Sequence, residues 1–192
     1  VVCYLPKDYW HVVPAQPTGD WTGHFDLRVA HSETEVRAQL PADLSAFAAV
    51  GAGAKALAEW GVAAVNPVPL LAAMDFERVY KTPWEIECVA QANARAARGH
   101  TAARAAFLEG ESEHGIHLAY LRATGHMEAD LPYNNIVALN EHSATLHYDR
   151  LDRTAPGTPR SFLIDAGATV NGYAADITRT WPAGPGTFSD LV

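Results

Sequence analysis

The chain of 192 residues carries a formal net charge of −8, with 48% hydrophobic and 19% charged residues. This composition is typical of a globular protein with a core, and the negative charge argues against nucleic acid or an anionic membrane surface as a partner. No apolar run reaches the length of a membrane span, and the two cysteines, Cys3 and Cys88, form no CxxC pair. We therefore expect reduced thiols and a cytoplasmic location.

Residues 1–78 are predicted to form part of a small α/β domain. A strand opens the chain and is followed by a loop with the sequence DYWH at residues 8–11. In such a loop Trp10 is most simply a packing residue at the edge of a core.

A glycine-rich stretch follows a short predicted strand at residues 47–50. Its sequence, GAGAKA at residues 51–56, resembles one form of the dinucleotide-binding fingerprint, and Asp75 lies near the expected distance. The second strand, however, ends in a proline-broken loop, and Asp75 lies well beyond it. We predict an ordinary strand–turn–helix here, and nucleotide binding is the alternative.

Two helices are predicted after the composition changes near Lys81. The first begins with a capping box, Thr82-Pro-Trp-Glu85, in which the Thr82 side chain accepts from the backbone N–H of Glu85. It runs to about Leu108 and buries one side, made of Ile86, Val89, Asn93, Ala96, His100, Ala103 and Phe107.

The second helix starts at Ser112 and ends near Gly125. His114 and His117 lie on it close to Glu111 and Glu113, and this grouping raises the alternative of a metal-binding helix. Histidines at this spacing in a capped turn are more often part of a solvated face, so we predict that these side chains face water.

Strand-like patterns follow at residues 135–140 and 144–148. Of the nine histidines, His147 is the strongest functional candidate, because it is predicted to lie on a strand that faces the sheet carrying Asp165. The alternative is a histidine at the core edge that is bonded to a carbonyl group.

The stretch from Ser161 to Trp181 is predicted to form a β-hairpin around Asn171-Gly172. If these two residues form the turn, Val170 pairs with Tyr173 and Asp165 pairs with Thr178. Asp176, two residues from Thr178, is then on the same face as Asp165. Spacing alone leaves two interpretations: a divalent cation between the carboxylates, or one aspartate that supports the turn and one that points to water.

The sequences LIDAGA (residues 163–168) and DITRT (residues 176–180) resemble the segment of the first two metal ligands in the pita-bread metallopeptidases. The closer similarity is to the bacterial Xaa-Pro dipeptidases (prolidases) and their organophosphorus acid anhydrolase relatives. It extends to PYNNIVALNE (residues 132–141), LHY (residues 146–148) and DYWH (residues 8–11).

The resemblance implies a function and a role for each candidate residue. The reaction would be metal-dependent hydrolysis of Xaa-Pro dipeptides, with two divalent ions, Mn²⁺ or alternatively Zn²⁺ or Co²⁺. Asp165 would bind one metal and Asp176 would bridge the two. His147 would stabilise the tetrahedral intermediate, and Tyr133 and Trp10 would contact substrate, Trp10 across the subunit boundary of a homodimer.

The resemblance also implies an α/β (α+β) fold in two parts: the remnant of an amino-terminal α/β domain (residues 1–78) and the first half of a pita-bread catalytic domain (residues 79–192). The family requires a further histidine and two glutamates from later in the sequence. We therefore expect an internal segment of a longer protein that is inactive alone. The alternatives are a phosphotriester hydrolase that uses the same site and a non-catalytic pita-bread binding module.

Overall fold

A computed structural model describes residues 1–186 and 188–192. The chain divides into two compact units, Val1–Val79 and Tyr80–Val192. None of the helices in the described ranges combines the length and the hydropathy that crossing a bilayer requires.

The first unit is built from two separate pairs of short parallel strands and two α-helices. In the first pair, β1 (Val2–Tyr4) lies beside β2 (Arg28–Ala30), and in the second pair β3 (Ala48–Ala49) lies beside β4 (Ala64–Val65). The helices are α1 (Glu33–Gln39), which follows β2, and α2 (Val68–Glu77), which follows β4.

The glycine-rich stretch after β3 leads into a 3₁₀ helix, Ala54–Trp60. The N–H of Gly51 donates to Oδ1 of Asn66 at 2.8 Å, and Nδ2 of Asn66 donates to the Gly51 carbonyl at 3.1 Å. The predicted proline-containing loop after the second strand is shorter than expected, because only Asn66 and Pro67 separate β4 from α2, and Asp75 lies within that helix. The glycine-rich turn is thus closed by its hydrogen bonds to Asn66, the residue directly after β4.

The second unit places two antiparallel helices against a three-stranded antiparallel sheet. The helices are α3 (Pro83–Leu108) and α4 (Glu113–Thr124). The strands are β5 (Ile136–Leu139), β6 (Ser161–Ala166) and β9 (Ile177–Pro182), with β6 in the centre.

The predicted start of α3 is confirmed. The Glu85 N–H donates to the Thr82 hydroxyl at 3.3 Å, and the Thr82 N–H donates to the Glu85 carboxylate at 2.6 Å. The predicted buried side is only partly right, because Ile86 and Asn93 are exposed. The side that is buried consists of Cys88, Ala92, Ala96, Gly99, His100, Ala103, Ala106 and Phe107.

The predicted hairpin register is confirmed. Asn171 and Gly172 both have positive φ, 51° and 82°, as a two-residue hairpin turn of type I′ requires. Val170 pairs with Tyr173, and Asp165 pairs with Thr178. The hairpin is interrupted rather than continuous, so its tip forms two further strands, β7 (Thr169–Val170) and β8 (Tyr173–Ala174).

The alternation along β6 separates the core from the opposite face of the sheet. Phe162, Ile164 and Ala166 are fully buried and belong to one apolar cluster with Phe107 and Tyr120 of the two helices. Because successive strand residues point to opposite faces, Asp165 lies on the face away from this cluster. The helices therefore form the supporting side of the sheet, and the other face carries the carboxylate.

Candidate metal centre

Asp165 and Asp176 lie on either side of one hydroxyl group. Asp165 is in the central strand, and Asp176 directly precedes β9. The Tyr133 hydroxyl is 2.8 Å from Oδ1 of Asp165 and 2.8 Å from Oδ1 of Asp176. The predicted proximity of the two carboxylates is therefore present, since less than twice that distance separates the two oxygen atoms.

Gly167 allows Tyr133 to approach the hairpin this closely. A Cβ atom at this position would collide with the carbonyl oxygen of Ala175, and it would lie 2.8 Å from Cγ of Pro132 and 3.0 Å from Cε1 of Tyr133. On the core side, the Tyr120 hydroxyl donates to the Gly167 carbonyl at 2.9 Å. Gly167 is thus the position where the two arms of the hairpin and the loop that carries Tyr133 come into contact.

The electrostatics of this arrangement keep the Tyr133 hydroxyl protonated. Burial, and then the hydrogen bonds to Asp165 and Asp176, raise the pKa of Tyr133 well above its ordinary value. A phenol carries one proton and can satisfy only one carboxylate at a time. Asp165 also accepts from the Thr178 hydroxyl at 2.9 Å, which does not remove the repulsion between two like charges.

The residues present fit a divalent cation. The two carboxylates offer oxygen donors alone, and such donors suit hard ions such as Mg²⁺ and Mn²⁺. A cation between the carboxylates would neutralise charges that a single shared proton leaves uncompensated. The donor set therefore supports the metal interpretation over the interpretation in which one aspartate merely supports the turn.

A pocket of about 600 Å³ opens over the aspartate pair. It is large enough for a small ligand such as a dipeptide. Its lining combines the predicted residues with others from the same unit, and the full set is His117, Glu128, Tyr133, Asn134, Asn135, Ile136, His147, Tyr148, Asp149, Leu151, Asp165 and Asp176.

His147 belongs to this pocket, but its predicted strand is wrong. Residues 140–144 form a 3₁₀ helix, and His147 lies in the turn that follows it. Because the chain turns here instead of pairing with a neighbour, the His147 side chain is exposed at the pocket and does not point from a strand.

The predicted solvated face of α4 is also wrong for two residues. Glu113 is 1% exposed and His117 is 2% exposed. The Nε2 atom of His117 is 2.6 Å from Oε1 of Glu128, and His117 and Glu128 both line the pocket. The side chains of Glu113 and His117 are buried because residues 126–152 fold back over the helix. Helical spacing does not reveal such a contact.

Glu113 is the centre of a hydrogen-bonded cluster that sequence reasoning missed. Its Oε1 accepts from the Leu139 N–H at 2.8 Å and from Nδ1 of His142 at 2.7 Å. Its Oε2 accepts from the Tyr148 hydroxyl at 2.8 Å and from the Asp152 N–H at 2.9 Å. A glutamate in the first turn of a helix predicts a favourable interaction with the helix dipole, and nothing local predicts four donors from distant residues.

Trp10 lies in the first unit, where its side chain is 83% exposed and packs edge-on against Tyr9. The expectation that it covers the edge of a core is therefore wrong. The backbone N–H groups of Trp10 and His11 both donate to the Asp8 carboxylate at 2.7 Å, which orders this loop. The substrate role of Trp10 stays a prediction.

Comparison with protein families assigns most of the chain. Residues 1–76 match the family described as Xaa-Pro dipeptidase, N-terminal domain. Residues 87–191, more than half of the chain, match metallopeptidase family M24. The chain belongs to metallopeptidase family M24. Membership implies divalent metal ions, in agreement with the donor set around Asp165 and Asp176.

The similar curated proteins are named Xaa-Pro dipeptidases. One from Cronobacter sakazakii is 48% identical over 192 residues, which cover 98% of this chain and 43% of the relative. One from Stenotrophomonas maltophilia is 49% identical over 183 residues, which cover 95% of this chain and 41% of the relative. The chain thus spans about two fifths of the length of the curated relatives it matches.

Solved structures confirm the predicted fold. Escherichia coli aminopeptidase P with the inhibitor Pro-Leu matches with a TM-score of 0.62 and 26% identity, over 81% of this chain and 39% of that chain. A zinc-substituted Escherichia coli aminopeptidase P in complex with product matches with a TM-score of 0.55 and 27% identity, over 69% and 33% of the two chains. The M24 region of this chain is therefore part of a pita-bread domain.

Proposed function

We propose that the M24 protein containing this chain is a metal-dependent dipeptidase that hydrolyses Xaa-Pro dipeptides. The carrying observation is the pair Asp165 and Asp176, which flanks one tyrosine hydroxyl at the base of a pocket of about 600 Å³. The similarity of both regions to Xaa-Pro dipeptidases, at 48% identity for one relative, supports the substrate class.

The chemistry of the substrate explains why a metal site suits this reaction. The bond before proline is a tertiary amide without an N–H group, so an enzyme cannot grip it through that donor. Asp165 and Asp176 would hold the divalent ions beside the pocket. When bound, such ions lower the pKa of water and polarise the scissile carbonyl group.

The other pocket residues act on the substrate directly in this proposal. The His147 side chain, exposed in the pocket, donates a hydrogen bond to the oxyanion that develops on the scissile carbonyl. Tyr133 keeps its proton and fixes the relative positions of the two carboxylates while it lines the pocket. Trp10 contributes to a substrate pocket through a homodimer.

Finer aspects of the proposal follow from the same reasoning. The carboxylate oxygens of Asp165 and Asp176 favour Mn²⁺ over Zn²⁺ or Co²⁺ as the resident ion. Reduced cysteines and the absence of a CxxC pattern in the sequence favour a cytoplasmic location. The domain boundary is placed near Arg78, so that residues 1–78 belong to the amino-terminal domain and residues 79–192 to the catalytic domain.

The test is proline release by the full-length protein. We expect Mn²⁺-dependent turnover of Met-Pro and Leu-Pro, and a loss of at least about 1,000-fold in kcat for Asp165→Asn, because a neutral amide replaces a metal-binding charge. Glu109→Gln, a change at an exposed position in the same unit, should have unchanged kcat. Hydrolysis of a phosphotriester without any proline release would contradict the proposed substrate class.

A further inference from the structure

The feature that the proposed mechanism leaves unused is the buried Glu113 carboxylate. Its side chain is 1% exposed, and a charge at that depth is costly unless it is fully hydrogen-bonded. Each of its oxygens accepts two hydrogen bonds at 2.7–2.9 Å, which uses all its lone pairs. The carboxylate therefore has no free position for a further hydrogen bond.

This saturation decides against a second cation site. Glu113, His142 and Asp152 bring possible ligand atoms within 4.8 Å of one another. A cation here would have to displace donors that include two backbone N–H groups, those of Leu139 and Asp152. Backbone N–H groups that point at a carboxylate stabilise its negative charge. The cluster therefore holds the Glu113 anion in place and leaves no position for a cation.

The four donors lie at both ends of one segment, residues 139–152, here called the pocket loop. Leu139 and His142 are at its start, and Tyr148 and Asp152 are at its end. The rings of His142 and Tyr148 also stack, with centroids 4.7 Å apart and an interplanar angle of 21°. Glu113 therefore ties the two ends of the pocket loop to the first turn of α4.

His147 lines the pocket together with three other residues of this loop, Tyr148, Asp149 and Leu151. Among the described residues its ring has no hydrogen-bond partner, so its position depends on its neighbours in the chain. The next residue, Tyr148, is 9% exposed, and its hydroxyl is bonded to Glu113. The nearest side-chain anchors of His147 are thus this buried bond and the stacking of Tyr148 on His142.

We infer that Glu113 is a positioning residue for His147: it closes the pocket loop and thereby fixes where the imidazole stands in the pocket that the aspartate pair also lines. The inference rests on the proposed function, in which His147 acts on the substrate. A misplacement of a catalytic group by about 1 Å can cost about 100-fold in rate, so a positioning residue outside the pocket can control kcat.

Glu113→Gln removes half of the acceptor capacity without a change in size. The amide keeps one oxygen, and its NH₂ group faces two of the former donors, which lose their partner. Tyr148→Phe is the milder second variant, because it deletes one hydroxyl and leaves the carboxylate with three donors. Glu109→Gln is the matched control, because Glu109 is an exposed glutamate at the end of α3, outside the pocket loop.

The experiment is a double-mutant cycle on the full-length protein with Mn²⁺ and Leu-Pro. We expect Glu113→Gln to lower kcat about 10- to 100-fold with little change in KM, and Tyr148→Phe to lower it less. In a His147→Ala background the same changes should alter kcat by less than about twofold, because the group they position is gone. An equal loss in both backgrounds would overturn the inference.

Hydrogen exchange gives a measure that does not depend on activity. Amides of the pocket loop should exchange faster in Glu113→Gln and Tyr148→Phe than in Glu109→Gln, while amides in the middle of α3 stay protected. Unchanged exchange in the loop would overturn the inference even if the protein were active. An unaltered protein that does not release proline would contradict the proposed function instead, and the exchange result would still decide the positioning role of Glu113.

Discussion

At the scale of single residues, the carboxylates of two sites in the same unit have opposite environments. Glu113 is enclosed by four donors, whereas Asp165 and Asp176 share the single proton of Tyr133. The first arrangement stabilises a fixed negative charge, and the second leaves charge uncompensated at the base of a pocket. This contrast favours the aspartate pair, rather than Glu113, as the proposed cation site.

The Glu113 charge has a measurable effect on its neighbour His142. The hydrogen bond from Nδ1 of His142 to Glu113 raises the pKa of His142 above the ordinary histidine value. We therefore expect the NMR titration midpoint of His142 to lie above about 6.5 and to fall in Glu113→Gln. Equal midpoints in the two proteins would contradict the charged pair.

The same shift has a defined consequence for stability. Because the pKa of His142 is raised in the folded state, the bond contributes fully below the unfolded-state value and is lost as pH rises through the folded-state value. The difference in unfolding free energy between the unaltered protein and His142→Asn should therefore shrink above a pH of about 6.5. A difference that grows with pH in that range would contradict the assignment.

At the scale of elements, the parts that the sequence predicts well are those with local signals. Thr82 with Glu85 marks the start of α3, and Asn171-Gly172 sets the hairpin register that brings Asp165 and Asp176 together. A serine N-cap of the same kind begins α1, where the Ser32 hydroxyl accepts from the N–H of Glu35. Each of these contacts joins residues that are close in sequence.

The elements that the sequence predicts poorly depend on contacts between distant residues. A strand is predicted around His147, but the structure has a turn there. The Tyr148 hydroxyl and the Asp152 N–H donate to the Glu113 side chain, and this part of the chain does not pair with a neighbouring strand. The burial of Glu113 and His117 on α4 has the same cause, because the segment that covers them, residues 126–152, lies far from them in sequence. Helical periodicity contains no information about such a cover.

The close packing of α3 on α4 gives a prediction at this scale. A Cβ atom on Gly99 would lie 2.5 Å from a ring carbon of Tyr120 and 2.7 Å from Cγ2 of Thr124. Gly99→Ala should therefore destabilise the protein by about 1–3 kcal/mol, although alanine favours the helix. In Gly115→Ala the new methyl group would meet only the flexible Glu111 side chain, so stability should hold or rise. The denaturation midpoints of the two variants measure these effects. An unchanged midpoint for Gly99→Ala would contradict the packing argument.

At the scale of the whole molecule, the chain spans 43% of one relative and 41% of another. The described residues supply two carboxylates to the proposed metal centre, Asp165 and Asp176. Metal affinity depends on the complete ligand set and on the residues that orient the ligands. The activity proposed above therefore belongs to the full-length protein.

It follows that the 192-residue chain by itself should bind Mn²⁺ weakly and should not release proline. Two carboxylates form too small a set of ligands for a tight site with two ions. Purified chain with excess Mn²⁺ and Leu-Pro provides the assay. Clear turnover that disappears in Asp165→Asn would show that these residues alone suffice, contrary to this expectation.

The central claim is that Asp165 and Asp176 hold the metal ions of a dipeptidase, and metal analysis of the full-length protein tests it most directly. Manganese content and proline release are measured together for the unaltered protein, for Asp176→Asn, and for Asp190→Asn as an exposed control in the same unit. We predict about two ions per chain in the unaltered and control proteins, and the loss of bound metal together with activity in Asp176→Asn. Full metal content and undiminished proline release in Asp176→Asn would contradict the claim.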